Sequence, residues 1–213
     1  MKKAIIYITC FFLFQFTLKA QKNFEGIITF KREFRDKTGK ISQEQAKQFM
    51  GDKQVYYLKK NKYMSEANGI LKMKTFYNGN DTLFMKTSMD DSLIYTNVTD
   101  ADEEKVISHS FSNVNETIAG VKCKLLIVKT NKGIRKYYYS NDVKIKSKYY
   151  ENHKLGLWNY FMKMTNGGIS IKSISDLEDS YSSIEAISIE RKKLNDSIFE
   201  RPKDLPITKM PKN

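Results

Sequence analysis

The sequence predicts a mainly β protein built as one antiparallel meander, closed or curled over a hydrophobic core. Three observations carry this prediction. Apolar and polar residues alternate with a period of two along most of the chain, which is the pattern of half-buried strands. Only three prolines interrupt the 213 residues, and turn signals recur at hairpin spacing. We expect about ten strands with little helix, as in curled or closed antiparallel sheets.

The first predicted strand lies in FEGIITFKREF, residues 24–34. Its apolar side chains share one face: Phe24, Ile28, Phe30 and Phe34. The segment DKTGK then predicts a turn, and SQEQAKQFM, which has no β-branched residue, predicts a short helix over residues 42–50. Next, QVYYLKK and KYMSEA predict a hairpin that turns at Lys60 and Asn61.

Three further strands are predicted in ILKMKTFY, TLFMKTSM and SLIYTNV, between residues 70 and 98. The first two are joined by NGND, a hairpin turn signal, and the last two by a turn at Asp90 and Asp91. The acidic run TDADEEK, residues 99–105, follows. This run lacks the glycine and the distal glutamate of a calcium-binding loop, so it predicts a solvated loop.

The strand VISHSF leads into a central hairpin of VKCKLLIV and IRKYYYS, with its turn at NKG. Gly120, just before this hairpin, predicts a bend or bulge in the sheet. Cys123 shares a face with Val121 and Leu125, and a free cysteine packs as a small apolar group. We therefore expect Cys123 to be buried packing, with a reactive thiol and an intermolecular crosslink as the alternatives.

The alternation breaks in NHKLGLWNYFMKMTNGG, residues 152–168, which contains the only tryptophan. The run from Leu155 to Met164 predicts a helical cap or a flap. The segments ISIKSISDL and YSSIEAISIERKKL then restore the strand pattern. The basic, proline-containing tail over residues 206–213 is predicted to be disordered.

The chain begins with a predicted secretory signal peptide, residues 1–20. Lys2 and Lys3 precede an apolar run, and Ala20 offers a small residue for cleavage. Cleavage there lowers the net charge from +13 to +10, because three lysines and no acid are lost. Residues 21–205 are expected to form a single domain with a sizeable core. The prediction is a monomer exported to the periplasm or the cell envelope.

Composition and motifs argue against several classes of function. The lysines are spread along the strands, and the sequence shows no zinc spacing, recognition helix or RNA-binding motif, so no nucleic-acid partner is expected. His109 and His153 are the only histidines, and no nucleophile motif accompanies them. We expect no catalytic residue, no metal and no cofactor. A hydrolase built from scattered residues is a less favoured alternative.

Clusters of tyrosine indicate an amphipathic pocket. Tyrosines are consecutive at residues 56–57, 137–139 and 149–150, so each cluster places a ring on both faces of a strand. One interpretation is ordinary sheet pairing. The other is a cavity lined by tyrosine and by the adaptable side chain of methionine. The second interpretation predicts these ligand-binding residues: Tyr57, Met73, Met85, Tyr137, Tyr139, Leu157, Trp158 and Phe161.

Two motifs carry a family resemblance. Ile118, Gly120 and Cys123 fit a central T-I-x-G-x-x-C pattern, and Phe199 with Pro202 fits a closing F-x-x-P pattern. In this order, and over residues 24–205, the chain resembles a family of exported bacterial proteins related to the LolA/LppX-like outer-membrane lipoprotein carriers. The resemblance implies a strongly curved antiparallel sheet, a half-barrel, with one or two short helical lid segments. The segment LGLWNYFMKM is the expected lid.

The function expected from the sequence is an exported protein that binds a lipid, an acyl chain or a similar apolar ligand without catalysis. Such a protein acts as a lipid or lipoprotein carrier or as a chaperone-like module. Its expected partners are cell-envelope lipoproteins or outer-membrane components. The alternative is a structural or interaction module of the cell envelope whose concave face is filled.

Overall fold

The computed structural model describes residues 23–100 and 104–210. The predicted signal peptide lies outside the described residues. Within the described residues, the strands are β1 (Glu25–Asp36), β2 (Lys53–Lys59), β3 (Lys62–Ala67), β4 (Lys74–Tyr77), β5 (Thr82–Lys86), β6 (Leu93–Asn97), β7 (Val106–Ile118), β8 (Val121–Thr130), β9 (Gly133–Lys144), β10 (Gly168–Leu177), β11 (Ser180–Arg191) and β12 (Ile207–Lys209). The α-helices are α1 (Gln43–Met50) and α2 (Trp158–Met164).

All these strands belong to one sheet, in the order β12-β6-β5-β4-β3-β2-β1-β11-β10-β9-β8-β7. Neighbouring strands are antiparallel, except that β12 runs parallel to β6. Strands β1 to β6 form one half of the sheet and β7 to β11 form the other half. The two halves meet where β11 pairs with β1. The prediction of a mainly β, mostly antiparallel protein is confirmed, but the sheet consists of two meanders, β1–β6 and β7–β11, joined where β1 pairs with β11.

Tight turns set the hairpin registers. β2 and β3 are joined at Lys60 and Asn61, as predicted. β7 and β8 are joined through Ala119 and Gly120, whose φ angles are 47° and 78°. Two successive residues with positive φ form the turn that suits the twist of a two-residue hairpin. The predicted bend or bulge at Gly120 is therefore wrong, because Gly120 is the turn itself and β7 continues up to Ile118.

The main hydrophobic core lies on one face of the sheet, which carries Phe24, Ile28 and Phe30, each at most 4% exposed. We call this the α2 face, because the residues of α2 pack on it. Cys123 belongs to the same core, and its thiol donates to the backbone carbonyl of Val121 at 3.4 Å. The prediction that Cys123 is buried packing is confirmed.

A smaller core lies on the opposite face. After β11 the chain crosses back over β1 to β5, and Phe199 packs on Met64 and Phe76. The C-terminal tail then pairs through β12 with β6. The predicted disorder of residues 206–213 is wrong for Ile207–Lys209, because a neighbouring strand edge satisfies their backbone groups. Residues 211–213 lie outside the described part.

The short helix predicted over residues 42–50 is confirmed as α1. Ser42 forms a capping box with Gln45: the Ser42 hydroxyl accepts from the Gln45 amide at 3.1 Å, and the Gln45 side chain accepts from the Ser42 amide at 2.8 Å. Ala46 is the buried residue of this helix. α1 packs on β1.

Glu104, in the acidic run, is not solvated, and residues 101–103 of this run lie outside the described part of the chain. Glu104 is 5% exposed and accepts two hydrogen bonds from the guanidinium of Arg135, at 2.7 and 2.5 Å. The hydroxyl of Thr130 donates to the same carboxylate at 2.9 Å. The predicted solvated loop is therefore wrong at Glu104, because a buried carboxylate is stable when an arginine pairs with it.

Candidate functional site

An apolar cavity of about 110 Å³ lies between α2 and the α2 face of the sheet. Its walls come from β1, β2, β9, β10 and β11 below and from the segment around α2 above. The lining residues are Phe30, Tyr56, Leu58, Tyr137, Gly156, Trp158, Phe161, Met162, Ile169, Ser170, Ser173 and Ile184. A concave, mostly apolar space with a few polar groups is the usual form of a small-molecule site.

The segment that covers the cavity is helical, as predicted for Leu155–Met164. A 3-10 turn over Leu155–Leu157 precedes α2. Gly156 and Leu157 both adopt left-handed backbone angles, with φ of 63° and 61°, so the chain reverses there before α2 begins. α2 is pressed onto β9 through Phe161, whose ring centroid lies 4.7 Å from that of Tyr137.

An aromatic cluster anchors this segment to β3. The imidazole of His153 is 1% exposed, and its Nε2 lies 3.0 Å from the hydroxyl of Tyr63. Tyr77, Tyr150 and Trp158 surround the two rings, with Trp158 stacked on Tyr63 at 5.1 Å. Burial lowers the pKa of His153 to about 4. The imidazole is therefore neutral at physiological pH and serves as a buried hydrogen-bonding link.

Four buried polar atoms of the described residues have no hydrogen-bond partner. Two are the hydroxyl of Tyr137 and Nη1 of Arg32 on β1, and the other two, the hydroxyl of Tyr150 and Nδ1 of His153, lie in the aromatic cluster. Burial raises the pKa of Tyr137 to about 12, so its hydroxyl stays protonated and is able to donate. A buried donor without an acceptor costs free energy. Such groups often mark a place where a ligand atom or a water completes the hydrogen bonding.

The eight residues predicted to bind ligand are only partly brought together. Tyr137, Trp158 and Phe161 line the cavity. Leu157 and Tyr139 are buried in the adjoining core, at 8% and 6% exposure. These five residues lie in one region of the molecule.

The remaining three are placed elsewhere, and their prediction as lining residues is not supported. Tyr57 points to the opposite face, because the strand alternates and Tyr56 and Leu58 line the cavity. Its hydroxyl donates to Glu66 at 3.3 Å. Met85 lies on β5, three places from β2 in the sheet. Met73 lies in the connection before β4.

Most of the cavity wall leaves no signal in the sequence that identifies it as part of a site. Tyr56 was one of an adjacent tyrosine pair, and nothing in the pair itself says which ring faces the core. Phe30 and Ile184 belong to strands recognised as amphipathic, but the position of α2 above them depends on the pairing of β1 with β11. That pairing joins residues about 150 positions apart and leaves no local signal.

The catalytic candidates are dispersed. His153 is hydrogen-bonded to Tyr63, whereas the Nδ1 of His109 lies 2.7 Å from the hydroxyl of Tyr160 on the exposed surface. Cys123 bonds to the backbone of Val121. Burial raises the pKa of its thiol, which disfavours the reactive thiolate.

Within residues 23–100 and 104–210, no group of three or more His, Cys, Asp or Glu side chains is placed to hold a metal ion. In that same part of the chain, no helix has the length and hydrophobicity needed to cross a membrane.

The comparisons with known proteins add no relative. No protein-family model matches the chain, and no curated protein is significantly similar to it.

Proposed function

We propose that this chain is an exported binding protein of the cell envelope that holds the apolar part of a lipid, an acyl chain or a similar ligand without catalysis. The site is the cavity between α2 and the sheet. The observation that carries the proposal is the composition of this cavity: nine of its twelve lining residues are aromatic or aliphatic. The predicted signal peptide at residues 1–20 supports export, which N-terminal sequencing of the mature protein would test.

The size of the cavity limits what it holds in this conformation. Its volume of about 110 Å³ is close to that of an engineered cavity of about 150 Å³ that binds benzene. Drug-sized ligands occupy sites of about 300–1,000 Å³. The site therefore admits a short alkyl segment as it stands, at about 0.8 kcal/mol for each buried methylene. A whole acyl chain requires α2 to move away from the sheet.

Local structure favours such a movement. α2 has only seven residues, and no side chain caps its N-terminus, so its intrinsic stability is low. Left-handed residues flank it on both sides, Gly156 and Leu157 before it and Asn166 and Gly167 after it. Changes of backbone angle at such positions let a short segment move as a unit.

The resemblance to LolA-like half-barrels is part of the same proposal, and bending of the sheet supports it. Cα atoms of β7 and β11 approach within 8 Å, although these strands are four places apart in the sheet. In a flat sheet four intervals amount to about 19 Å. Lys172 on β10 and Glu116 on β7 also form an ion pair of 3.2 Å across two intervening strands.

The experiment that tests the proposal uses Trp158, the only tryptophan, as the reporter. Titration with 1-octanol is expected to shift its fluorescence and to saturate. Ser173→Leu, which fills the cavity, is expected to weaken the response about tenfold or more. Ser183→Leu is the matched control, because Ser183 precedes Ile184 on β11 and therefore points to the opposite face. An unchanged spectrum in the wild type, with no apolar compound extracted from the purified protein, would reject the proposal.

A second candidate is a structural or interaction module with a filled interior. The observation that favours it is the dense aromatic packing beside the cavity, where Tyr63, Tyr77 and Tyr150 are each at most 5% exposed. This candidate predicts no saturable response to 1-octanol. It also predicts that Ser173→Leu raises the free energy of unfolding by filling a void that no ligand uses.

A further inference from the structure

Arg32 is a half-buried cation, and one nitrogen of its guanidinium is fully buried. Its atom Nη1 is buried and has no hydrogen-bond partner, and its guanidinium forms no ion pair with any acid in the described ranges. Arginine remains protonated at any physiological pH. A guanidinium N–H that is removed from water without an acceptor is unfavourable, and a charged group raises this cost. This unpaired N–H lies close to the apolar cavity.

The strand register shows how Arg32 relates to the cavity. Arg32 pairs with Ile184 across β1 and β11, Ile184 pairs with Ser173, and Ser173 pairs with Tyr137. These four residues form one row across four adjacent strands. The last three line the cavity, and neighbouring strands are about 4.8 Å apart. Arg32 therefore stands at the end of the row, next to Ile184, on the strand that contributes Phe30 to the cavity wall.

Two further cavity residues border Arg32. Phe30 precedes it by two positions on β1, so both side chains point to the α2 face, and Phe30 lines the cavity. Tyr56, another lining residue, is close enough to Arg32 to interact with its charge. The cavity thus has an apolar interior, and the cation Arg32 lies next to its wall without being one of the lining residues.

We propose that the ligand is an amphiphile with one small anionic headgroup, which the guanidinium of Arg32 binds, and an apolar tail that enters the cavity. This inference rests on the proposed function and specifies its ligand class. A guanidinium N–H of Arg32 donates to a headgroup oxygen, and a charge-assisted bond of this kind is stronger than a neutral one. Carboxylate and phosphate share the required chemistry. The cavity volume of about 110 Å³ selects a short tail or the first part of a long one.

The test compares three ligands of equal chain length on the full chain: octanoate, octyl phosphate and 1-octanol. Binding is followed by the fluorescence of Trp158 and by calorimetry. The wild type is expected to bind at least one of the anions about tenfold more tightly than the alcohol. Arg32→Gln is expected to remove this preference and to leave the affinity for 1-octanol unchanged. The relative affinities of octanoate and octyl phosphate show whether a fatty acid or a phosphorylated lipid is the better match.

Arg35→Gln is the matched control. Arg35 lies on the same strand but on the opposite face, where it contacts Glu33 and Tyr181, so its loss removes the same charge and is expected to keep the preference for the anion. Equal affinity of the wild type for the anions and the alcohol overturns the inference and leaves the proposed function in place. Failure of all three ligands to bind overturns both. If Arg32→Gln does not fold, the inference is tested by the wild type alone, through its relative affinity for the anions and the alcohol.

Discussion

His153 is expected to make the protein less stable as the pH falls. Burial lowers its pKa from 6.5 to about 4 in the folded protein. The unfolded chain therefore takes up a proton as the pH falls through about 6.5, whereas the folded protein stays unprotonated until about pH 4. The contribution to stability is complete above the unfolded pKa and is lost between these two values.

The size of the effect follows from the difference in pKa. One unit corresponds to 1.36 kcal/mol, so the loss is about 2 kcal/mol at pH 5 and about 3 kcal/mol at pH 4. The assay is urea unfolding of the wild type and His153→Phe at about pH 7.5 and pH 5, where most carboxylates are still ionised. The wild type is expected to lose about 2 kcal/mol between these conditions, and His153→Phe much less.

His109→Phe serves as the control, because His109 is exposed on β7 and the variant is expected to keep the pH dependence of the wild type. The comparison is between two pH values for one protein, so the stability of each variant at pH 7.5 does not affect it. An equal loss in the wild type and in His153→Phe would refute the reasoning, since it would mean that the folded protein protonates His153 without penalty.

The remaining predictions concern stability at neutral pH, measured as the free energy of unfolding in urea. Tyr63→Phe removes the hydrogen bond to His153 and is expected to cost about 1–3 kcal/mol. Tyr137→Phe removes an unpaired hydroxyl and is expected to leave the stability unchanged or to raise it. A larger loss in Tyr137→Phe than in Tyr63→Phe would contradict the assigned hydrogen bonding. Phe199→Ala is expected to cost about 3–5 kcal/mol, because Phe199 is 2% exposed in the second core. Phe111→Ala is the control at 53% exposure, with an expected change of about 0.5 kcal/mol or less; similar losses in both would show that the C-terminal segment does not pack on the sheet.

The strands were predictable from local patterns, and their global arrangement was not. The alternation around Phe24, Ile28 and Phe30 is a local signal, and so is the low β-propensity of the α1 segment. The three-residue strand β12 is too short to show any periodicity, and its parallel pairing depends on the free edge of β6. Nothing in the acidic run distinguishes Glu104 from its neighbours, so its pairing with Arg135 was not predictable from the sequence.

Part of the candidate site was predictable for a similar reason. Trp158 and Phe161 stand out because they break the strand pattern, and an apolar helical segment must cover something. Adjacent tyrosines alternate faces, so the choice between Tyr56 and Tyr57 requires knowing which face α2 covers. The proposed role of Arg32 depends on its buried, unpaired Nη1, which only the assembled sheet reveals.

The most direct test of the account is the position of a bound apolar ligand. With methionine methyl groups labelled for NMR, 1-octanol is expected to give intermolecular contacts to Met162, which lines the cavity at 2% exposure. Met64, buried in the second core, is expected to give none. Contacts confined to exposed methionines such as Met89, or the absence of any contact at Met162 under saturating ligand, would contradict the claim that the space beneath α2 is a binding site.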